Sequence, residues 1–277
     1  MTDRRLYLCN GHVAHSSLQG QVDGVAFVQG TQKSIITPLA NLYEKPKGGL
    51  DRQILFGNTF LVLEHDSESG FSFGRTDADG YVGYVENNCL GLTINATHKV
   101  TAINTHIYPA ATIKSVPYLA ISLGARLELT CIKDGFGHLK NGGYVPEQAI
   151  DLIDAVAPDF VTVAEQFLGV GYLWGGCSSQ GLDCSALVQE ALRASAIECP
   201  RDSDMQQAQM GSEFGDNEPL KRGDLIFWKG HVGIMVDDAT LLHANAHHMC
   251  VAKEPLEEAQ ARILHNEGLD IACRKRI

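Results

Sequence analysis

One cysteine of the chain lies in a sequence setting that favours nucleophilic chemistry. Cys184 follows a glycine-rich stretch, residues 175–181, and stands at the start of a helical pattern directly after Asp183. The free N–H groups and the positive dipole at the start of a helix favour a thiolate over a thiol. The same N–H groups can hold the oxyanion of an acyl-transfer intermediate. Cys184 is therefore a candidate nucleophile, although cysteine is also a common small residue of protein cores.

Two histidines are candidates for the base that such a nucleophile needs, usually an imidazole oriented by a third polar group. His231 opens one predicted strand and His243 ends the next, with a short turn between the strands. The two rings can be neighbours at one edge of a sheet if they point to the same side. The chain has eleven histidines, so the same pair can also be ordinary residues of a solvated edge.

A metal site is the competing interpretation of these histidines. His243, His247 and His248 with a cysteine could bind zinc or copper. The i,i+4 spacing of His243 and His247 would need a helix, and no helical pattern is present there. Without a compact ligand set, we expect neither a metal nor another cofactor.

The elements that must position these residues follow from apolar periodicity. Helical spacing over residues 160–168 predicts a helix that Gly169 ends, and residues 184–192 predict a second helix with one apolar face. Three apolar runs predict strands joined by tight turns: 224–228, 232–236 and 240–244. Helices followed by antiparallel strands predict an α+β domain.

The first half of the chain has a different texture and repeats itself. From about Ser34 to Pro146, short apolar runs alternate with turn residues, as in small β-barrels. Each copy closes on a Gly-Tyr-Val triplet, at 80–82 and at 143–145, in a repeat of about 65 residues. The sequence predicts an N-terminal arm and two tandem barrels: residues 1–33, 34–92 and 93–152.

Composition excludes several classes of partner. The 277 residues carry 33 acidic and 22 basic side chains, a formal net charge of −11. A field of that sign repels nucleic acid and anionic lipid, so we expect neither as a partner. The length is enough for two or three domains, and no run approaches the roughly 20 apolar residues of a membrane span.

Cysteine usage and the first residues bear on the compartment. The eight cysteines include no C-x-x-C spacing, which argues against a zinc ribbon or a thioredoxin-type site. Within the first 24 residues the longest apolar run is 6–8 (LYL), shorter than the core of a signal peptide. We therefore expect a cytoplasmic protein with reduced thiols.

Five motifs in the second half occur in a characteristic order: 172–176 (YLWGG), 183–189 (DCSALVQ), 222–227 (RGDLIF), 230–234 (GHVGI) and 242–244 (LHA). In this order they resemble the NlpC/P60 family of cysteine peptidases, over residues 159–277. The two repeats before them resemble bacterial SH3-type domains, to which the turn 81–84 (YVGY) fits. The resemblance implies a papain-like α+β catalytic domain preceded by two small SH3-like β-barrels.

The resemblance also implies roles for matching residues. Cys184 would be the nucleophile, His231 the base and His243 the group that orients the base. The hydroxyl of Tyr172 would contribute to the oxyanion site. One departure is Ala186, where the family usually has glycine; alanine suits a helix better, so we do not interpret it as loss of activity.

The resemblance also implies a class of substrate. The family cleaves peptidoglycan stem peptides, commonly between γ-D-glutamate and a diamino acid. The domain order resembles cell-wall recycling enzymes, which act on short fragments with a free N-terminal L-alanine. Asp183, also a good helix N-cap, would bind that ammonium group. Four further residues would contact substrate: Ser185, Ser203, Trp174 and Tyr81.

Two other functions stay open. One is a non-catalytic module that binds peptidoglycan or protein, and the complete set of Cys184, His231 and His243 argues against it. The other is an amidase or acyltransferase that uses the same three residues, which the sequence does not separate from a peptidase.

Overall fold

Residues 3–277 are described by the computed structural model of the chain, and they fall into two units. The first unit ends at Asp154 and the second spans Ala155–Ile277. Among these residues, the helices are all too short or too polar to cross a bilayer.

The N-terminal segment of unit 1 packs on the first repeat. Its strands β1 (Val13–His15) and β2 (Ala26–Val28) pair in parallel, with a 3-10 turn at Ser16–Leu18 between them. Leu8 enters an apolar cluster with Leu63, Phe73 and Val82 of that repeat. The segment is thus an ordered arm held by burial of apolar surface.

The first repeat forms a seven-stranded antiparallel sheet. Its strands are β3 (Thr31–Ile35), β4 (Leu39–Tyr43), β5 (Leu50–Leu55), β6 (Thr59–Asp66), β7 (Phe71–Thr76), β8 (Val82–Glu86) and β9 (Leu90–Gly91), with a 3-10 turn at Asn87–Cys89. The spatial order is β5-β4-β8-β7-β6-β3-β9. Alternate residues such as Ala40 and Leu42 of β4 are buried, as the period of two in a strand dictates.

The second repeat reproduces these pairings in shorter strands. Its elements are β10 (His98–Val100), β11 (Asn104–Ile107), β12 (Leu119–Ser122), β13 (Arg126–Leu127), β14 (Leu129–Lys133), β15 (Phe136–Leu139), β16 (Tyr144–Pro146), a 3-10 turn (Glu147–Ala149) and β17 (Ile150–Leu152). The pairs β10·β13 and β10·β17 repeat β3·β6 and β3·β9, and β11·β12 repeats β4·β5. The duplication in the sequence therefore recurs in the strand pairing.

Two closed barrels, as predicted, are not confirmed over the described residues. The first sheet keeps two edges, β5 and β9, and the second repeat consists of three separate small sheets. Closure depends on how strongly each strand tilts and staggers against distant strands, which the local sequence pattern does not specify.

Unit 2 is a mixed helix and strand domain. Its elements are α1 (Phe160–Glu165), β18 (Cys177–Ser178), β19 (Gly181–Leu182), α2 (Cys184–Ala194), α3 (Ser203–Gln209), β20 (Ser212–Phe214), β21 (Leu225–Trp228), β22 (His231–Met235), β23 (Thr240–Asn245), β24 (Cys250–Pro255), α4 (Leu256–Glu267) and β25 (Cys273–Arg276). Six strands form one antiparallel sheet in the order β20-β25-β21-β22-β23-β24. Helix α2 packs on β22 and β23.

The predicted elements of unit 2 are largely confirmed. Helix α2 and strands β21, β22 and β23 lie within two residues of their predicted bounds. Helix α1 ends at Glu165, earlier than the apolar pattern indicated, and Gly169 adopts a left-handed φ of 83° in the turn that follows. The sequence analysis missed α4, whose mostly polar face obscures the buried residues Leu256, Ala259 and Ile263.

Candidate active site

Cys184 is the first residue of α2, and its neighbours fix it there. The Asp183 carboxylate accepts a hydrogen bond from the Ala186 backbone N–H at 2.8 Å, which caps the helix. The thiol is 7% exposed and accepts hydrogen bonds from the backbone N–H groups of Ser185 and Val232. Since Val232 follows His231 in β22, the contact brings the candidate nucleophile to the end of β22 that carries the candidate base.

His231 and His243 are direct neighbours, an arrangement that the sequence analysis left open. Nε2 of His231 lies 2.8 Å from Nδ1 of His243. The register of β22 and β23, in which Ile234 faces Leu242, places Gly233 opposite His243. A methyl group on Gly233 would lie 2.7 Å from Cδ1 of Leu241 and 3.2 Å from Cβ of His243, so glycine leaves room for these two side chains of β23.

Burial disfavours the charged forms of Cys184 and His231. Burial first, and then the charge of Asp183, raise the pKa of Cys184 to about 12. Burial also lowers the pKa of His231 to about 3, assisted by the neighbouring His243 and Arg262. The helix N-terminus stabilises the thiolate by only about 1 kcal/mol. Full burial can raise the pKa of a thiol by several units, so burial is the larger effect. Burial therefore opposes the thiolate that the start of the helix favours.

Asp183 lies in a buried network that the sequence analysis did not identify. Arg201 is 1% exposed and holds both carboxylate oxygens of Asp183, at 2.9 and 2.7 Å. It also donates to Oγ of Ser185 at 2.8 Å, and Ser185 donates to Asp183 at 3.2 Å. With the N–H groups of Gly175 and Ala186, five donors surround one carboxylate. Arg201 therefore supplies the cation that a buried aspartate beside a thiol requires.

Tyr172 and Trp174 lie directly before the glycine-rich loop that leads to the nucleophile. Burial, together with proximity to Cys184 and Asp183, raises the pKa of Tyr172 to about 12. The hydroxyl therefore stays protonated and able to donate a hydrogen bond. Trp174 is 69% exposed, so its ring offers an apolar surface to solvent.

The other two predicted substrate residues lie elsewhere. Ser203 is the first residue of α3, partly buried, two residues beyond Arg201. Tyr81 lies in unit 1, where its side chain is 3% exposed within the core of the first repeat and below the Arg52 guanidinium. Their contact with substrate stays a prediction.

A glutamate on β24 completes the hydrogen-bond chain. Oε1 of Glu254 lies 2.7 Å from Nε2 of His243, and Arg262 of α4 contacts the same oxygen. The sequence analysis missed Glu254 because β24 was not predicted. Glu254 shares a face of β24 with Ala252, the residue opposite His243, and only the register of β23 and β24 shows this.

Among the residues that the structure describes, one group of side chains could hold a metal ion. Ligand atoms of His243, His248 and Glu254 lie within 4.8 Å of one another, without a cysteine among them. Both ring nitrogens of His243 already make hydrogen bonds, to His231 and to Glu254. A metal ion held by these atoms would replace the hydrogen bond between Nε2 of His243 and Glu254.

Two family models match the chain. Residues 169–265 match the NlpC/P60 family, and residues 42–90 match the bacterial dipeptidyl-peptidase Sh3 domain. Fold and matches together define the class: a hydrolase of the peptidase type, with mixed helix and strand content and an SH3 domain before the catalytic domain.

Two characterised proteins are similar to most of this chain. The chain is 30% identical over 220 residues to gamma-D-glutamyl-L-lysine dipeptidyl-peptidase of Bacillus subtilis (strain 168), covering 70% of this chain and 72% of that protein. Dipeptidyl-peptidase 6 of Lysinibacillus sphaericus is 24% identical over 243 residues, covering 76% and 86%. The chain belongs to the NlpC/P60 family.

A solved structure supports the fold. The crystal structure of an NlpC/P60 family protein from Bacillus cereus ATCC 10987 matches with a TM-score of 0.73 at 21% identity. The match covers 89% of this chain and 99% of that one.

Proposed function

We propose that this protein is a cysteine endopeptidase that hydrolyses the bond between γ-D-glutamate and a diamino acid in short peptidoglycan stem peptides with a free N-terminal L-alanine. The observation that carries the proposal is the His231–His243 hydrogen bond beside a helix-terminal thiol that the N–H of Val232 contacts. The name of the B. subtilis relative supports the choice of bond.

The proposed reaction uses only the side chains of unit 2. His231 accepts the thiol proton while the sulfur of Cys184 attacks the γ-carbonyl carbon, and the new oxyanion receives a hydrogen bond from Tyr172. Cleavage of the C–N bond sends that proton to the leaving amine of the diamino acid. Water then attacks the thioester, giving a proton to His231, and the released sulfur recovers its proton from the imidazolium. No cofactor takes part.

Recognition of the substrate N-terminus is the second part of the proposal. Asp183 binds the L-alanine ammonium together with Ser203, while Trp174 and Ser185 contribute to the same site. A contact of Tyr81 with substrate is a separate prediction. A carboxylate has about four lone-pair sites and Asp183 already has five donors, so the ammonium must displace one of them. The contact from Ser185 is the longest of the five. Because Arg201 already compensates the charge, the ammonium adds less stabilisation than an unpaired aspartate would give.

Unit 1 has a proposed role in substrate selection. We assign both of its repeats, residues 34–92 and 93–152, to SH3-like domains that restrict the enzyme to short peptides, after an arm of residues 1–33. The shared strand pairing supports the second assignment. A recycling role in the cytoplasm is part of the same proposal, supported by eight free thiols and an acidic surface.

A peptide panel tests the proposal. We expect hydrolysis of L-Ala-γ-D-Glu-L-Lys or of the diaminopimelate analogue into L-Ala-D-Glu and the diamino acid, measured by mass spectrometry. Cys184→Ala is expected to abolish it, because no other group supplies the nucleophile. Acetylation of the N-terminus should reduce kcat/KM at least about tenfold if one charged contact of roughly 1.4 kcal/mol is lost. Intact cell wall should be a poor substrate.

The controls separate the remaining functions. Cys131→Ala removes an exposed thiol of unit 1 and should leave hydrolysis unchanged. Turnover that survives Cys184→Ala would overturn the mechanism. Binding of the peptides without turnover would favour the non-catalytic module, and release of ammonia or transfer to an added amine would favour an amidase or acyltransferase.

A further inference from the structure

Glu254 reaches the second histidine across the sheet. In the register of β23 and β24, Leu241 faces Glu254 and His243 faces Ala252. Glu254 is thus the diagonal neighbour of His243 on the same face, a separation that a long side chain can bridge. Its carboxylate lies 2.7 Å from Nε2 of His243, and its side chain is only 10% exposed.

A carboxylate in this place selects one tautomer of His243. An ionised carboxylate only accepts hydrogen bonds, so Nε2 of His243 must carry its proton toward Glu254. A neutral imidazole has one N–H, which leaves Nδ1 of His243 as an acceptor. The group 2.8 Å from that acceptor, Nε2 of His231, must then be the donor.

The same logic fixes the atom of His231 that can act as a base. With its proton on Nε2, the neutral ring of His231 has its lone pair on Nδ1. If the proton of His243 were on Nδ1 instead, it would donate to Nε2 of His231 and place the His231 proton on Nδ1. The ring could then not accept the proton of Cys184. His243 alone permits both arrangements, because it is equally able to donate and to accept.

Arg262 holds the carboxylate in its ionised form. It approaches the same Oε1 from α4, eight residues further along the chain. Burial alone would raise the pKa of Glu254, but the hydrogen bond from His243 and the charge of Arg262 hold it below its ordinary value.

We propose that Glu254 is a positioning residue of the reaction, which through His243 sets the tautomer of His231 that takes the proton from Cys184. The inference rests on the proposed function for its kinetic readout, whereas its spectroscopic readout does not depend on any substrate. Glu254 touches neither substrate nor thiol; it acts through the two imidazole rings.

The test compares Glu254→Gln with the wild-type protein. Glutamine keeps the shape of the side chain but can donate as well as accept, so it no longer selects a tautomer. We expect kcat on the cleaved peptide to fall about 10- to 100-fold, as when an outer residue that orients a functional imidazole is lost, with KM changed less than about twofold. Glu258→Gln, an exposed glutamate of the same helix as Arg262, is the matched control and should keep wild-type kinetics.

Nitrogen-15 NMR of histidine-labelled protein gives the direct readout. In the wild type, Nε2 of His231 and of His243 should carry protons and both Nδ1 atoms should be bare, with assignments from His243→Asn. In Glu254→Gln we expect a mixture of tautomers at both rings. The wild-type tautomers can be read even if Glu254→Gln does not fold, so a bare Nε2 on His243 there overturns the inference. So does a Glu254→Gln protein with wild-type kcat and wild-type tautomers.

The two proposals fail in distinguishable ways. If the wild type cleaves none of the peptides, the proposed function fails while the tautomer measurement still decides the role of Glu254. If the wild type cleaves them and Glu254→Gln does so equally well, only the positioning role fails. A loss of kcat in Glu254→Gln with wild-type tautomers would also contradict the positioning role.

Discussion

Cys184 and His231 are each held in the neutral form by burial. The thiol has a raised pKa and the imidazole a lowered one, so each shift disfavours the charged state of its group. Both shifts therefore act against an imidazolium–thiolate ion pair. In the proposed reaction, proton transfer from Cys184 to His231 then accompanies the attack of sulfur, so the tautomer of His231 is important.

Alkylation of Cys184 is expected to follow its raised pKa. Because the thiolate is the reactive form, the rate with iodoacetamide should rise about tenfold per pH unit between pH 6 and pH 10, without a plateau. The peptide that contains Cys184 is followed by mass spectrometry after digestion. The exposed Cys131 in the same sample serves as the internal reference for the reagent. A plateau of Cys184 labelling below pH 7 would show a preformed thiolate and contradict the neutral pair.

Two helices of unit 2 begin in the same way but in different surroundings. Asp159 caps α1 and pairs with Arg222, with both side chains about 38 to 39% exposed. Asp183 caps α2 and pairs with Arg201, with side chains 10% and 1% exposed. An aspartate–arginine pair thus lies at the surface at the start of α1 and in the interior at the start of α2.

The buried pair should contribute much more to the stability of α2 than the exposed pair does to α1. We expect Arg201→Met to lower the free energy of unfolding by about 3–5 kcal/mol, because it leaves the Asp183 charge buried and unpaired. Arg222→Met should lower it by about 1 kcal/mol or less. Methionine keeps the apolar stem in both variants.

Urea unfolding followed by tryptophan fluorescence measures this difference. The chain has two tryptophans, Trp174 and Trp228, and both belong to unit 2, so the signal reports the domain that contains both helices. Equal midpoints for the two variants would contradict the assigned importance of the Asp183–Arg201 pair.

For the whole molecule, the division into two units predicts where proteases act first. Residues 153–158 form neither helix nor strand between β17 and α1, and Val156 in their middle is 58% exposed. Exposed connections of this kind are preferred sites of cleavage. Brief elastase treatment should cut beside Ala155 or Val156 and yield two stable fragments, identified by intact mass. First cleavage inside either unit would contradict the boundary at Asp154.

The net charge of −11 is also a property of the whole molecule. Its long-range field disfavours polyanions and leaves short peptides as compatible partners. The division of unit 1 into an arm and two SH3-like domains stays a prediction, although its strand pairings repeat.

Local sequence determined the central part of this protein. The helix at Cys184 and the strands that carry His231 and His243 were predicted because their apolar periods and turn residues are contiguous in the chain. The short turn between these strands makes the two imidazoles neighbours when both lie on one face of the sheet, as they do. The order of the five motifs indicated the family, because the residues of each motif are also contiguous in the chain.

Tertiary structure decided what surrounds these residues. Arg201 comes from a loop 18 residues beyond Asp183, and Glu254 comes from a strand whose register had to be known. The protonation of Cys184 depends on how completely the fold excludes water, which outweighs the helix N-terminus. Burial and cross-strand register are properties of distant contacts, so the spacing of residues along the chain does not contain them.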